Sequence, residues 1–319
     1  MPHLVTIPIS DNGVIAANEE IDTIIATSTS PLFKTTDIFI FSHGWWTTAV
    51  DAMRQYNIAT TDMLAFLLRN GANLNQRPPG GSFLMAIHWP STLSEDGSSF
   101  IEKFEPFSFY KMEHRADDIG QEGVYSLLRL IFQNVASAAA PLHQTRIHLL
   151  GHSFGTKVVC SALQKIIQQK VAIPANVSFN VILLQAAFSQ DSLDAGGDYD
   201  AVLGIPNLRM LVSKSARDKA LGWAFPLAKT ANFFSHGTRT ALGFAGPDAS
   251  TLAAKPFQAI SVDKDDTFTG NAPPTNFVVA DLTPIHSDPA NTYDGGWGGH
   301  HSDIYLPEIY DLLNWFMFS

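Results

Sequence analysis

The sequence predicts an α/β fold: a mainly parallel sheet with helices on both faces, carrying a cap or lid insertion. Three observations predict it. Apolar runs of strand length alternate with longer segments whose apolar residues recur at helical spacing. The strand-like runs lack polar–apolar alternation, as expected of central strands buried on both faces. With 319 residues, 45% of them hydrophobic and only 16% charged, the chain has enough apolar material for one large domain spanning 1–319.

The elements follow in order. His3–Ile9 and Gly13–Ala17, around Asp11-Asn12-Gly13, read as an edge hairpin. DIFIFS (Asp37–Ser42) is a buried strand. Ala49–Asn70 carries Met53, Ile58, Met63, Leu64, Leu67 and Leu68 at helical spacing and stops at Asn70-Gly71, a helix-ending signal. Phe83–Trp89 is a strand ended by Pro90, Asp118–Val135 a helix, Arg146–Leu150 a strand and Thr156–Gln169 a helix. Phe179–Ala186, Leu208–Ser213 and Phe277–Leu282 are further strands, and Leu306–Phe318 is the closing helix. Two aromatic-rich stretches break the alternation. Ser91–Asp117 is expected to form the cap, and Ala220–Pro256 a second insertion between late strands.

Composition excludes several function classes. A net charge of −10 argues against a broad nucleic-acid surface, which needs clustered Lys and Arg. Cys160 is the only cysteine, so neither a disulfide framework nor a thiolate metal site is available within the chain, and the residue reads as core. The N-terminus MPHLVTIPIS has no basic n-region or long apolar h-region, and no run reaches the ~18 apolar residues of a membrane span. The expected location is cytoplasmic.

The chemistry centres on RIHLLGHSFGTKVV, where Gly-His-Ser-Phe-Gly (151–155) ends a buried strand and opens a helix. That context turns a weak G-x-S-x-G match into a nucleophile elbow, in which a sharp turn pushes the Ser153 hydroxyl above the sheet. The two glycines remove side chains that would collide with neighbouring backbone. The amide of Phe154 then lies at a helix N-terminus, where positive dipole accumulates.

A serine needs a base, and three histidines on the loop before the last helix compete: His286, His300 and His301. His301 is best placed, just ahead of the closing apolar segment. The orienting acid is expected after the strand Leu208–Ser213, where Asp218 stands; Asp191 and Asp194 are the alternatives. A metal site built from His286, Asp288, His300, His301 and Asp303 is disfavoured, because no helical metal-ligand spacing is present. The strand Asp37–Ser42 runs into His43-Gly44-Trp45-Trp46, a sharp turn that would aim the Trp45 amide, together with that of Phe154, at an oxyanion.

With HGWW at 43–46, GHSFG at 151–155, Asp218 and GHHSDI at 299–304, the chain from about Asp37 to Phe318 resembles the α/β-hydrolases. SFYKMEHRADDIGQEG (Ser108–Gly123) is similar to a segment of poorly characterised microbial members. The resemblance implies acyl transfer through an acyl-serine, with Ser153 as nucleophile, His301 as base and Asp218 as its orienting acid. It implies no metal and no organic cofactor. The expected substrate is a small carboxylic ester with an apolar part, met by His43, Trp46, Trp89 and His152, with Trp45 and part of Phe100–Tyr110 also lining the pocket. Amide or thioester hydrolysis by the same triad, and a non-catalytic binding protein on the same fold, are the competing readings.

Overall fold

A computed structural model describes residues 3–16, 35–45, 47–69, 82–92, 106–137, 144–227, 240–268, 273, 275–287 and 300–318. Its centre is an eight-stranded sheet in the order β1-β3-β2-β4-β5-β6-β8-β7. The strands are β1 (His3–Pro8), β2 (Asp37–Ser42), β3 (Ser82–His88), β4 (Thr145–His152), β5 (Val177–Leu184), β6 (Leu208–Lys214), β7 (Gln258–Ser261) and β8 (Phe277–Asp281). Every neighbouring pair is parallel. The chain leaves β2 to form β3 on one side, then returns to form β4 on the other. The carboxyl ends of β2 and β4 therefore flank a topological switch point, the place where open α/β sheets bind ligands.

Both faces of the sheet are covered, as the unbroken apolar strands require. Along β4 and β5, Ile147, Leu149, Val181 and Leu183 face one core while Leu150, Ile182 and Leu184 face the other. The first core is closed by α2 (Pro106–Asp118), a π-helical stretch Ile119–Val124, α3 (Tyr125–Ser137) and α4 (Gly155–Gln168). The second is closed by α7 (Pro307–Phe318), with α1 (Ala49–Arg69) packed beside it. Two short helices, α5 (Leu242–Ala245) and α6 (Ala249–Ala254), precede β7.

Four sequence expectations change. The expected hairpin is confined to its turn, where an Ile9–Ile15 antiparallel bridge is flanked by Ser10 N–H to Val14 O and Ala16 N–H to Pro8 O, while His3–Pro8 is an edge strand parallel to β3. The helix expected from Asp118 begins at Pro106, where proline suits a first helical position because its missing N–H would have no partner there. Half of the expected cap is thus helix α2, whose Phe109, Met112 and Ala116 are buried in the first core; residues 93–105 lie outside the described residues. In α1, among the described side chains, Ala52 and Tyr56 are buried, four apart on one face, whereas Met53 is exposed; the side chains of Met63, Leu64, Leu67 and Leu68 lie outside the described residues. Lastly, β7 was not expected, since Gln258–Ser261 is a four-residue edge strand with every second residue exposed.

Buried ion pairs hold the layers in register. Lys157 of α4, almost wholly buried, lies 3.4 Å from Glu113 Oε1 and 3.2 Å from Asp117 Oδ2 of α2. Near the amino end of the sheet, the fully buried Asp37 carboxylate accepts from Arg146 Nε at 2.7 Å and meets His148 Nε2 at 3.0 Å. Burial alone would raise the Asp37 pKa, but His148 and Arg146 outweigh it and hold the carboxyl far below the usual range. A depressed carboxyl stabilises the fold above its unfolded pKa, and that contribution is lost as pH falls below about 4. Asp37→Asn is therefore expected to cost on the order of 3 kcal/mol at pH 7, and distinctly less at pH 3. Urea unfolding of both proteins at the two pH values measures this.

Candidate active site

Ser153 follows β4 directly and takes φ 55, a left-handed conformation that is uncommon outside glycine. The strained turn is over-determined by its bonds. Ser153 N–H donates to Leu184 O at 3.0 Å, and its carbonyl accepts from Thr156 N–H, Thr156 Oγ1 and Ala187 N–H. The flanking glycines are sterically required. A Cβ on Gly151 would stand 2.5 Å from Gly155 O, and one on Gly155 would stand 2.1 Å from Ser42 O and 2.6 Å from His43 O. Gly155→Ala would thus wedge α4 from β2 and is expected to lower stability by roughly 3 kcal/mol. Thermal unfolding with the enthalpy measured reads that loss.

The residues expected as acid and base lie on loops far apart in sequence. Asp218, after β6, is buried; its Oδ1 accepts from Leu221 N–H at 2.9 Å and its Oδ2 lies 2.7 Å from His301 Nδ1. A carboxylate can only accept, so Nδ1 carries the proton and Nε2 presents its lone pair, the tautomer a general base needs. Of the competing histidines, His300 Nδ1 bonds Asp303 Oδ2 at 2.6 Å, and His286 bonds Ser215 Oγ and Asp303 O, each at 3.0 Å. Neither pairs with Asp218. Asp194 is engaged by the hydroxyls of Ser250 and Thr251, at the start of α6.

His301 is brought to the elbow by the residue next to the serine. His152 Nε2 donates to His301 O at 2.9 Å, and the two rings lie 5.0 Å apart. Burial, with His301 nearby, pushes the His152 pKa down to about 3, so it remains a neutral donor. Ser153 Oγ and His301 Nε2 share no hydrogen bond here; such contacts commonly close only when substrate is bound.

The turn after β2 passes over the serine. A Cβ on Gly44 would stand 2.7 Å from Ser153 Cβ and 3.3 Å from Ser153 Oγ. His43 Nδ1 lies 2.8 Å from Gly44 O, which fixes the Gly44–Trp45 peptide plane. Because C=O and N–H point oppositely across a trans peptide, the Trp45 amide is directed away from His43. His43 is itself locked: its ring stacks on Trp89 at 5.3 Å, and its carbonyl accepts from Trp89 Nε1 at 3.2 Å. Burial holds the His43 pKa down at about 3. The Phe154 amide, at the start of α4, has no acceptor among the described residues.

Of the residues expected to meet substrate, His43, Trp89 and His152 are buried, each ring bonded to or stacked against its neighbours. Trp46 lies outside the described residues. Beside the elbow lies a cluster of aromatic rings, of which Phe109, Phe154 and Phe225 are buried and Trp45 is part-exposed. Phe109 packs 5.0 Å from Phe154, 5.7 Å from Phe225 and 6.1 Å from Trp45.

A family model described as "Alpha/beta hydrolase of unknown function (DUF900)" matches residues 23–232, about two thirds of the chain. The chain belongs to this family. The match takes in the Gly44 turn, the elbow and Asp218 of this α/β hydrolase; His301 lies past its end. No curated protein matches the hydrolase. Among its described residues, no helix is long and apolar enough to cross a membrane.

Proposed function

We propose that this α/β hydrolase cleaves carboxylic esters with an apolar part through an acyl-serine intermediate. The observation that carries the reading is the Asp218–His301 hydrogen bond, held beside a serine in strained left-handed geometry. Ser153 Oγ attacks the ester carbonyl as His301 Nε2 takes its proton. The carbonyl oxygen becomes an oxyanion facing the amides of Phe154 and Trp45. His301 returns the proton to the departing alcohol, then activates a water that releases the acid. Asp218 keeps the imidazole in one tautomer and stabilises its charged form.

Part-exposed Trp45, backed by the buried rings of Phe109, Phe154 and Phe225, supports an apolar acyl or alcohol group of short to medium length. Hydrolysis rates for p-nitrophenyl esters with acyl chains from about two to about twelve carbons should pass through a maximum, each favourable methylene contributing up to about 0.8 kcal/mol. A flat series would remove Trp45 and the rings behind it from the binding account.

A further inference from the structure

One group of buried polar side chains that the proposed reaction does not use converges on His286. Its ring bridges the two loops that carry the acid and the base. Nε2 donates to Asp303 O at 3.0 Å, two residues beyond His301, and Nδ1 accepts from Ser215 Oγ at 3.0 Å, three residues before Asp218. The carbonyl fixes the tautomer, since it can only accept. Ser215 Oγ also accepts from Arg217 N–H, and Ser215 O accepts from Asp218 N–H, so the bridge reaches the turn on which Asp218 stands. At the other end, the His300–Asp303 bond closes a turn around His301, and the His300 ring lies stacked 5.2 Å from His286. Ser215, His286 and Asp303 are all buried.

Loops are the mobile parts of a fold, yet a 2.7 Å bond between Asp218 and His301 demands that two of them keep a fixed separation. We infer that His286 is a positioning residue, a buried crossbar between Ser215 and Asp303 that sets the distance between Asp218 and His301. This rests on the proposed use of Asp218 and His301 as acid and base. The groups facing the ring are His300 and Asp303 from the base turn and Asp218 from the acid loop. Burial lowers the His286 pKa, which keeps the ring neutral with one donor and one acceptor, as the bridge requires.

The test uses the whole chain and two readouts. His286→Phe preserves a flat ring against His300 but removes both hydrogen bonds; Ser215→Ala cuts one end only. The first readout is the downfield proton resonance of the His301 Nδ1–Asp218 bond, which needs no turnover. The second is the rate at which a fluorophosphonate labels Ser153. His286→Phe should broaden or abolish the resonance and slow labelling on the order of tenfold or more, since displacements near an ångström cost up to about 10². His286→Gln, which can still donate to Asp303 O, should recover part of both. Ser215→Ala should slow labelling less, and add little to His286→Phe. Should His286→Phe fail to fold, Ser215→Ala and His286→Gln test the same crossbar. An unchanged resonance with labelling within twofold of wild type in the folded variants would overturn the inference. Wild-type protein that shows the resonance, sensitive to His286, but takes no label would instead overturn the proposed reaction and leave the crossbar standing.

Discussion

Asp218→Asn is expected to lower kcat for ester hydrolysis by about 10⁴, with KM changed by no more than a few-fold. Asp218 Oδ1 accepts from Leu221 N–H, which will keep the carbonyl oxygen of an asparagine on that side. The asparagine then turns its NH₂ toward His301 Nδ1, where the carboxylate now accepts at 2.7 Å. A donor there forces the imidazole to accept at Nδ1 and to carry its proton on Nε2. The ring would point an N–H at Ser153 in place of a lone pair, with its geometry nearly intact. Raising the pH should restore little, because the fault is tautomeric and not a missing deprotonation. Steady-state kinetics across pH 6–9 decide it; a loss below about tenfold would mean that Asp218 only supports its loop.

Gly44→Ala is expected to cost about 10² to 10³ in kcat while leaving the Asp218–His301 bond in place. The added methyl would meet Ser153 Cβ at 2.7 Å and His152 O at 3.2 Å. Both belong to the elbow, which is tied to β5 through Leu184 O and to Thr156 of α4, so the lighter turn after β2 must yield. Withdrawing that turn draws the Trp45 amide away from the developing oxyanion. The ground-state ester, which carries no full charge, should bind almost as before. The signature is a kcat loss with KM nearly constant and the downfield His301 proton preserved. If kcat is retained, the oxyanion is stabilised elsewhere.

Much of the fold was legible in the sequence because its central strands are buried on both sides. DIFIFS, Arg146–Leu150 and Leu208–Ser213 are apolar runs that suit little else, and each is a strand of the sheet. The edges were harder to read. β1 and β7 are exposed on one side, so their residues reflect solvent as much as pairing, and the Asp11-Asn12-Gly13 turn suggested a hairpin where the partner strand lies some eighty residues away. The elbow could be read because its glycines, serine and helix are contiguous. Separating His286, His300 and His301 rests on tertiary contacts, since all three share one loop and of the three only His301 hydrogen-bonds Asp218. For His43, Trp89 and His152, position in the sequence does not reveal that their rings are buried against the backbone and rings around them. Ser215 and Asp303 gave no signal as parts of a crossbar, because that role exists only across a gap of more than eighty residues.

The central claim is that Ser153 is a nucleophile activated by His301 and Asp218. The most direct measurement is reaction of the purified protein with a fluorophosphonate, followed by mass mapping of the adduct, beside Ser153→Ala and His301→Ala. The account predicts a stoichiometric adduct on Ser153 in the folded protein, absent from Ser153→Ala and formed at least about 10³ more slowly in His301→Ala. Folded wild-type protein that takes no label, or takes it at the same rate without His301, would contradict it.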